Sequence, residues 1–350
     1  MLGDQVITVL IPAHNEEESL AKTIESVQNQ TYPVDHILVV SDNSTDETVS
    51  VAQKCGVHVM QTTGNTKRKA GALNQALEGL IILDGLVLVM DADTILTPTW
   101  IESALHELED PEVGGVGAVF FAGPEARGWL GSCQKLEWVR YAEEGGRTGK
   151  TFVMSGTAAL IRVEALQDVH DRFGHWYDED TITEDSRLSI DLKLCGWKLK
   201  SPNICRTITE HMPDVKSLWM QRRRWYLGAM QNVADVGLNR ITAPYWGQQV
   251  MLAISVMVMG LYLGATAWAV ATGGLIVPTP FWLGIGFIFA TERVITVWDE
   301  PLRYKLLAAS VFPELLYALV LQSAYLGAVL QKVTKSTGTW THLSNTRTRA

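Results

Sequence analysis

The chain has 350 residues, of which 47% are hydrophobic and 19% charged, with a formal net charge of −9. The charged share lies below the ~25% of an ordinary soluble protein. The acidic balance argues against a nucleic-acid partner, because neutralising phosphates takes a basic face. The deficit of charge is local. Ile241 to Thr291 runs without Asp, Glu, Lys, Arg or His, while the first two thirds are charged throughout and read as a water-soluble enzyme.

Residues 5 to about 122 alternate strand and helix. Val6–Ile11 is a β-branched strand ending at Pro12, and Glu16–Gln30 has helical spacing with Leu20, Ile24 and Val27 on one face. The pattern repeats with strand His36–Val40, helix Thr45–Lys54, strand Val57–Gln61 and helix Ala70–Leu80. Leu86–Met90 is wholly apolar, as a parallel strand buried on both faces should be. Such spacing implies βαβ units and a doubly wound, mostly parallel α/β sheet, whose ligands bind beyond the carboxyl ends of the strands. After residue 122 the spacing predicts a helix over Trp129–Arg147, a small-residue turn at Ser155-Gly156-Thr157 and a helix over Thr183–Trp197 with Thr183 as N-cap. Pro213 precedes a further helix carrying Gln221-Arg222-Arg223-Arg224-Trp225.

Three hydrophobic segments follow. Val250–Thr272 is long enough to cross a ~30 Å hydrocarbon core, and Gly273-Gly274 with Pro278 and Pro280 break it. Phe281–Trp298 and Leu306–Leu330 are the other two, the last with Pro313 and Glu314 inside it. Arg303 and Lys305 favour a cytoplasmic loop after the second segment. A third crossing would then put Lys332, Lys335, Arg347 and Arg349 outside, so either that segment lies in the interface or the positive-inside bias is broken. The expected division is a catalytic domain over 1–212, an interfacial helix region over 213–240, a membrane domain over 241–335 and a polar tail over 336–350. Cys55, Cys133, Cys195 and Cys205 form no C-x-x-C pair, which suits buried thiols in a reducing compartment. The first residues lack a basic region and a long apolar core, so the expectation is a catalytic part that begins at residue 1 and stays in the cytoplasm.

Asp91-Ala92-Asp93 closes the apolar strand, and two carboxylates one residue apart at a strand end suit a hard cation such as Mg²⁺ or Mn²⁺. Thr183-Glu184-Asp185 offers a carboxylate to deprotonate an acceptor hydroxyl, against the plainer reading of helix capping. Gln221, Arg224 and Trp225 share one helical face; Arg can grip a diphosphate and an indole can stack on a sugar, although a basic interfacial helix has the same composition. Lys69 stands before a helix as a phosphate contact, Asp42 at a strand end can accept from a base edge, and His211 is a lesser candidate for metal or phosphate.

Taken in order, Pro12-Ala13-His14-Asn15-Glu16, Ser41–Asp46, Lys69-Ala70-Gly71-Ala72-Leu73-Asn74, Asp91-Ala92-Asp93, Ser155-Gly156-Thr157, Thr183-Glu184-Asp185 and Gln221–Trp225 resemble the motifs of family 2 glycosyltransferases. The branch they resemble has a GT-A nucleotide-sugar domain and membrane helices and includes cellulose, chitin and hyaluronan synthases. The resemblance implies that Pro12, Ala13 and Glu16 line the nucleotide site, Asp42 contacts uracil and Lys69 lies near the nucleotide. It implies that Asp91 and Asp93 hold the ribose and the metal-diphosphate, that Ser155, Gly156 and Thr157 border the acceptor, and that Asp185, beside Glu184, is the catalytic base. Gln221, Arg224 and Trp225 would bind the diphosphate and acceptor sugar, and Val333-Thr334-Lys335 is faintly similar to a gating loop. The implied activity is inverting, metal-dependent transfer from a UDP-sugar to an acceptor hydroxyl at the cytoplasmic membrane face, extending a polysaccharide or glycan. The alternatives are single-step transfer to a polyprenyl phosphate or other lipid, and an inert membrane-anchored nucleotide-sugar sensor. The implied partners are a UDP-sugar, a glycan or lipid acceptor and membrane lipids, and oligomerisation is compatible with them. The chain departs from many polymer synthases in lacking an N-terminal membrane helix and in having at most three hydrophobic segments.

Overall fold

A computed structural model describes residues 5–79, 85–123, 128–148, 151–273, 280–310 and 312–334. Leu80, the Gly274 and Pro278 breakers, Lys335 and the tail 336–350 lie outside them. The chain divides into two compact units, one of residues 1–126 and 137–211, the other of 127–136 and 212–350.

The first unit is an α/β sheet. Its elements in order are β1 (Ile7–Ala13), α1 (Leu20–Gln28), β2 (His36–Ser41), α2 (Thr48–Lys54), β3 (His58–Gln61), α3 (Arg68–Gly79), β4 (Leu86–Met90), β5 (Ile95–Leu96), α4 (Trp100–Glu107) and β6 (Val113–Ala122). Helix α5 (Gly128–Thr148) starts in the second unit and ends in the first. Then come β7 (Ser155–Arg162), α6 (Val163–Phe173), α7 (Glu184–Leu194), β8 (Lys198–Lys200) and β9 (Arg206–Thr209). The strand order is β3-β2-β1-β4-β7-β6-β9-β5, with β8 beside β6. The β3-β2-β1-β4 half is parallel throughout. Strand β7 runs antiparallel to both β4 and β6, so the sheet is mixed at its centre.

The period-two side-chain alternation of strands explains the two buried faces. Ile7, Val9 and Ile11 of β1, with Leu86, Leu88 and Met90 of β4, pack with Leu20, Ile24, Trp100 and Ile101 on one side. Leu10, Val87 and Val89 point to the other, against Leu73, Ala76, Leu166 and Leu188. An apolar run without alternation of polar residues is what a central strand needs.

Three local expectations are corrected. Ser155-Gly156-Thr157 is the opening of β7 and not a turn; the pairing of Met90 with Ala158 lays these residues along the end of β4. Helix α1 begins at Leu20, not Glu16, because Asn15 is left-handed (φ 56) and the next two N–H groups donate to Thr48 Oγ1 and Asp46 Oδ2. Thr183 stands at the N-cap of α7, but its side chain makes no capping bond.

The second unit contains α8 (Val215–Val236), α9 (Ala243–Ala271), α10 (Pro280–Ile295), α11 (Leu302–Ala309) and α12 (Phe312–Thr334). Asp214 caps α8 by accepting from Ser217 N–H at 2.9 Å and from the Ser217 hydroxyl at 2.8 Å. Helices α8 and α12 pack closely: Gly327 leaves room for the Trp219 ring, which would lie 2.8 Å from a Cβ there, and Lys332 Nζ donates to Met230 O at 2.7 Å. An ion pair of Arg293 with Glu314 joins α10 to α12. The expected segment Leu306–Leu330 is in fact two helices. Pro313 lies in the first turn of α12, where its missing N–H breaks no helical bond. Among the described residues two helices, Ala243–Ala271 and Phe312–Thr334, are long and apolar enough to cross a membrane. Helix α10, with 16 residues, rises about 24 Å, short of a ~30 Å hydrocarbon core.

Candidate active site

The carboxyl ends of β1, β2 and β4 and the start of β7 lie at one end of the sheet. Asp91 follows β4 directly, and its N–H donates to Thr157 O at 3.1 Å, continuing the β4–β7 pairing by one residue. Lys69, in the first turn of α3, donates to Asp91 Oδ1 at 2.5 Å and to Gly156 O at 3.1 Å, and lies 3.4 Å from Glu184 Oε1. Asp185 is held by the Gly156 N–H at 3.0 Å and by Ser186 N–H at 2.7 Å. A Cβ at position 156 would stand 3.1 Å from Lys69 Nζ and 3.3 Å from Asp185 Oδ2, so only glycine lets the strand pass between them without displacement. Ser155 and Thr157 bond each other through their hydroxyls at 2.9 Å. The end of β4, the start of β7 and the start of α7 thus meet around the ammonium that α3 carries, beside a cavity of about 20 Å³ lined also by Tyr177.

The β1 and β2 ends interlock next to it. Asp42 N–H donates to Ala13 O at 2.8 Å, and Asp42 Oδ1 accepts from Thr62 Oγ1 at 2.8 Å. Pro12 lies beyond the last β1–β4 pair, Leu10 with Val89, where only the β2 side of the strand remains paired. Glu16 accepts from the Ser19 hydroxyl at 2.6 Å. Among the described residues three non-glycine positions have left-handed backbone, Asn15 (φ 56), Asn43 (φ 52) and Arg68 (φ 57). Asparagine tolerates that region; Asn15 and Asn43 sit in loops after β1 and β2, and Arg68 opens α3, at the end of the sheet where backbone strain collects at functional sites.

The electrostatics are uneven. Burial, with repulsion from Asp91, Glu16 and Glu210, pushes Asp93 up to about 7. Glu16 is also raised, chiefly by burial. Burial pushes Asp185 up to about 6, with Glu184 adding to the shift and Lys69 and two backbone N–H groups opposing it. Burial alone would lower Lys69, but Asp91, Glu184 and Asp185 outweigh it and hold its ammonium well above the usual lysine range. An excess of carboxylate oxygen around one ammonium fits a hard divalent cation at Asp91 and Asp93. No group of three His, Cys, Asp or Glu among the described residues could hold a metal alone. The fit is therefore to a cation whose shell is completed by phosphate and water, as Mg²⁺ commonly is.

Gln221, Arg224 and Trp225 lie on α8, in the second unit. Arg222 there is buried, with its guanidinium 4.2 Å from the Trp225 ring centre. Gln221 Oε1 is buried without a hydrogen-bond partner among the described residues. His211 is half-buried at the end of the first unit. The rule that ligands bind beyond the carboxyl ends of the strands covers Thr62, the partner of Asp42, which follows β3 directly. Sequence reasoning missed Glu210, a contributor to the Asp93 shift, and nothing in the sequence marked it.

Residues 8–169 match the model of the family described as Glycosyl transferase family 2. The chain is 29% identical over 236 residues to the poly-beta-1,6-N-acetyl-D-glucosamine synthase of Staphylococcus aureus (strain COL), which covers 63% of this chain and 54% of the relative. It is 28% identical over 238 residues to the synthase of the same name from Staphylococcus epidermidis, with 63% and 54% covered. The chain spans about half the length of the curated relatives it matches. Among solved structures it is similar to the mannosyltransferase of Pyrobaculum calidifontis in complex with GDP-Man and Mn²⁺. The TM-score is 0.65 at 19% identity, with 95% of this chain and 88% of that one covered. At that identity the likeness is one of fold, and the fold is GT-A-like.

Proposed function

We propose, for a chain that carries a family 2 glycosyltransferase domain over residues 8–169, that it moves a sugar from a UDP-sugar to an acceptor hydroxyl with inversion, at the cytoplasmic face of a membrane. The observation that carries the reading is the meeting of Asp91, Gly156 and Glu184 on the Lys69 ammonium, with Asp185 fixed by the Gly156 N–H. A donor held at Asp91 would then lie beside a carboxylate able to act as base.

In this reading Pro12, Ala13 and Glu16 line the nucleotide site and Asp42 meets the uracil edge, its carboxylate oriented by Thr62. Asp91 and Asp93 would hold Mg²⁺ or Mn²⁺, a cation that neutralises charge on the departing diphosphate. Asp185 accepts the proton of the acceptor hydroxyl. The acceptor oxygen bonds to the anomeric carbon as the bond from that carbon to the diphosphate oxygen breaks, and UDP leaves from the opposite face. Ser155–Thr157 border the acceptor. Gln221, Arg224 and Trp225 serve the diphosphate and the acceptor sugar. Relatives named for a β-1,6-linked N-acetylglucosamine polymer support chain extension over a single transfer to a lipid. The two long apolar helices support membrane association.

Asp185→Asn keeps the size of the side chain and removes its basicity. Turnover should fall by roughly 10²–10⁴-fold, the usual contribution of a general base, while UDP affinity stays unchanged because the donor contacts lie elsewhere. Near-normal turnover in this variant would assign the proton transfer to another residue.

A further inference from the structure

Asn74 is buried on α3, five residues after Lys69, and no step above uses it. Its amide is fully engaged by a segment about a hundred residues away. Asn74 Oδ1 accepts from Tyr177 N–H at 2.9 Å, and Nδ2 donates to Tyr177 O and to Glu179 Oε1, both at 2.9 Å. The side chain thus pairs with both backbone groups of Tyr177, as a neighbouring strand would. Asp178 stands between these two residues. Its carboxylate pairs with Arg187 at 3.1 Å, and Arg187 lies on α7 two residues after Asp185. The Arg187 Nε is held at 3.0 Å from both oxygens of Asp191, a carboxylate with only 1% of its side chain exposed. A guanidinium gripped on two sides has one available orientation. The path from α3 through Tyr177, Asp178 and Glu179 to α7 is therefore closed by hydrogen bonds at Asn74 and by an ion pair at Arg187, and its two helices carry Lys69 at one end and Glu184–Asp185 at the other.

We propose that Asn74 and Arg187 are positioning residues, which clamp residues 177–179 between α3 and α7 and so set the spacing of the Lys69 ammonium from the Glu184 and Asp185 carboxylates. The proposal rests on the reading of Asp185 as the base. Misplacing a reacting group by about 1 Å costs on the order of 100-fold in rate, so a clamp of this kind acts on turnover and not on donor binding.

The test uses the full chain in detergent, with UDP for affinity and the UDP-sugar it turns over fastest as donor. Asp178→Asn removes the charge that Arg187 grips while keeping the shape. Asn74→Asp sets a carboxylate against Glu179. Each should lower kcat by roughly 10–100-fold, with KM for the donor and Kd for UDP held within about twofold. Adding Glu179→Gln to Asn74→Asp restores a donor opposite the new acceptor and leaves only the Tyr177 carbonyl without its N–H, so kcat should recover in part, by roughly 3–10-fold, as coupled neighbours require. Wild-type kcat in both single variants, with Asp185→Asn inactive, would overturn the clamp and leave the base in place. Loss of UDP binding together with kcat, without recovery in the double variant, would overturn it as well, because that is the signature of general damage to the fold. Full turnover in Asp185→Asn is a separate result, and it contradicts the base assignment instead.

Discussion

Asp185 combines two demands that pull against each other. A base must be ionised, yet burial raises this carboxyl from an ordinary 3.8 to about 6. The Gly156 and Ser186 N–H groups and the Lys69 ammonium keep it from rising further. The sign of the consequence is fixed: below about pH 6 the base is protonated and kcat/KM should fall tenfold per pH unit, while above that pH this group imposes no loss. A kcat/KM profile of the free enzyme checks this. A flat profile down to pH 4.5 would mean that Asp185 is not the titrating base. Lys69 belongs to the same balance. The sequence placed it near the nucleotide, and the fold gives it carboxylate partners from two other motifs, Asp91 and Glu184, as well as the Gly156 carbonyl.

Among the elements, β4 was the most legible, since five apolar residues in a row have no other economical place than the centre of a sheet. Strand β7 was not, because Ser155, Gly156 and Thr157 are turn-forming residues locally. Only pairing with β4, a partner distant in the chain, makes them a strand. The start of α1 shifted for a similar reason, its first N–H groups being taken by the neighbouring loop. In the second unit, α9 is 29 residues long and its span is 6% buried, an exposure of apolar surface that water does not tolerate without a cover. Together with α12 it predicts an integral protein. Alkaline carbonate should leave the chain in the membrane pellet, and detergent should release it. Quantitative release by carbonate would contradict the assignment of both helices as spans.

At the scale of the whole chain, the order of the motifs was readable and their meeting was not. Asp91 and Asp185 were each marked by acidic pairs at the ends of elements, but the chain offers no local sign that Lys69 and Gly156 would stand between them. The bonds of Asn74 to Tyr177 and of Arg187 to Asp178 were equally hidden, since each depends on side chains brought together only by the packed sheet. What the pattern did give is the place of the site, because an acidic pair closing a buried central strand lies where an open α/β sheet binds its ligand; the class of chemistry came from the resemblance of the ordered motifs. The central claim is that this pair works with a divalent cation on a UDP-sugar. The direct measurement is release of nucleoside diphosphate by the purified full chain from a panel of UDP- and GDP-sugars, with Mg²⁺ or Mn²⁺ and with EDTA. The account predicts release of UDP that requires the cation and is lost in Asp93→Ala. Equal release in EDTA, or release from GDP-sugars alone, would contradict it.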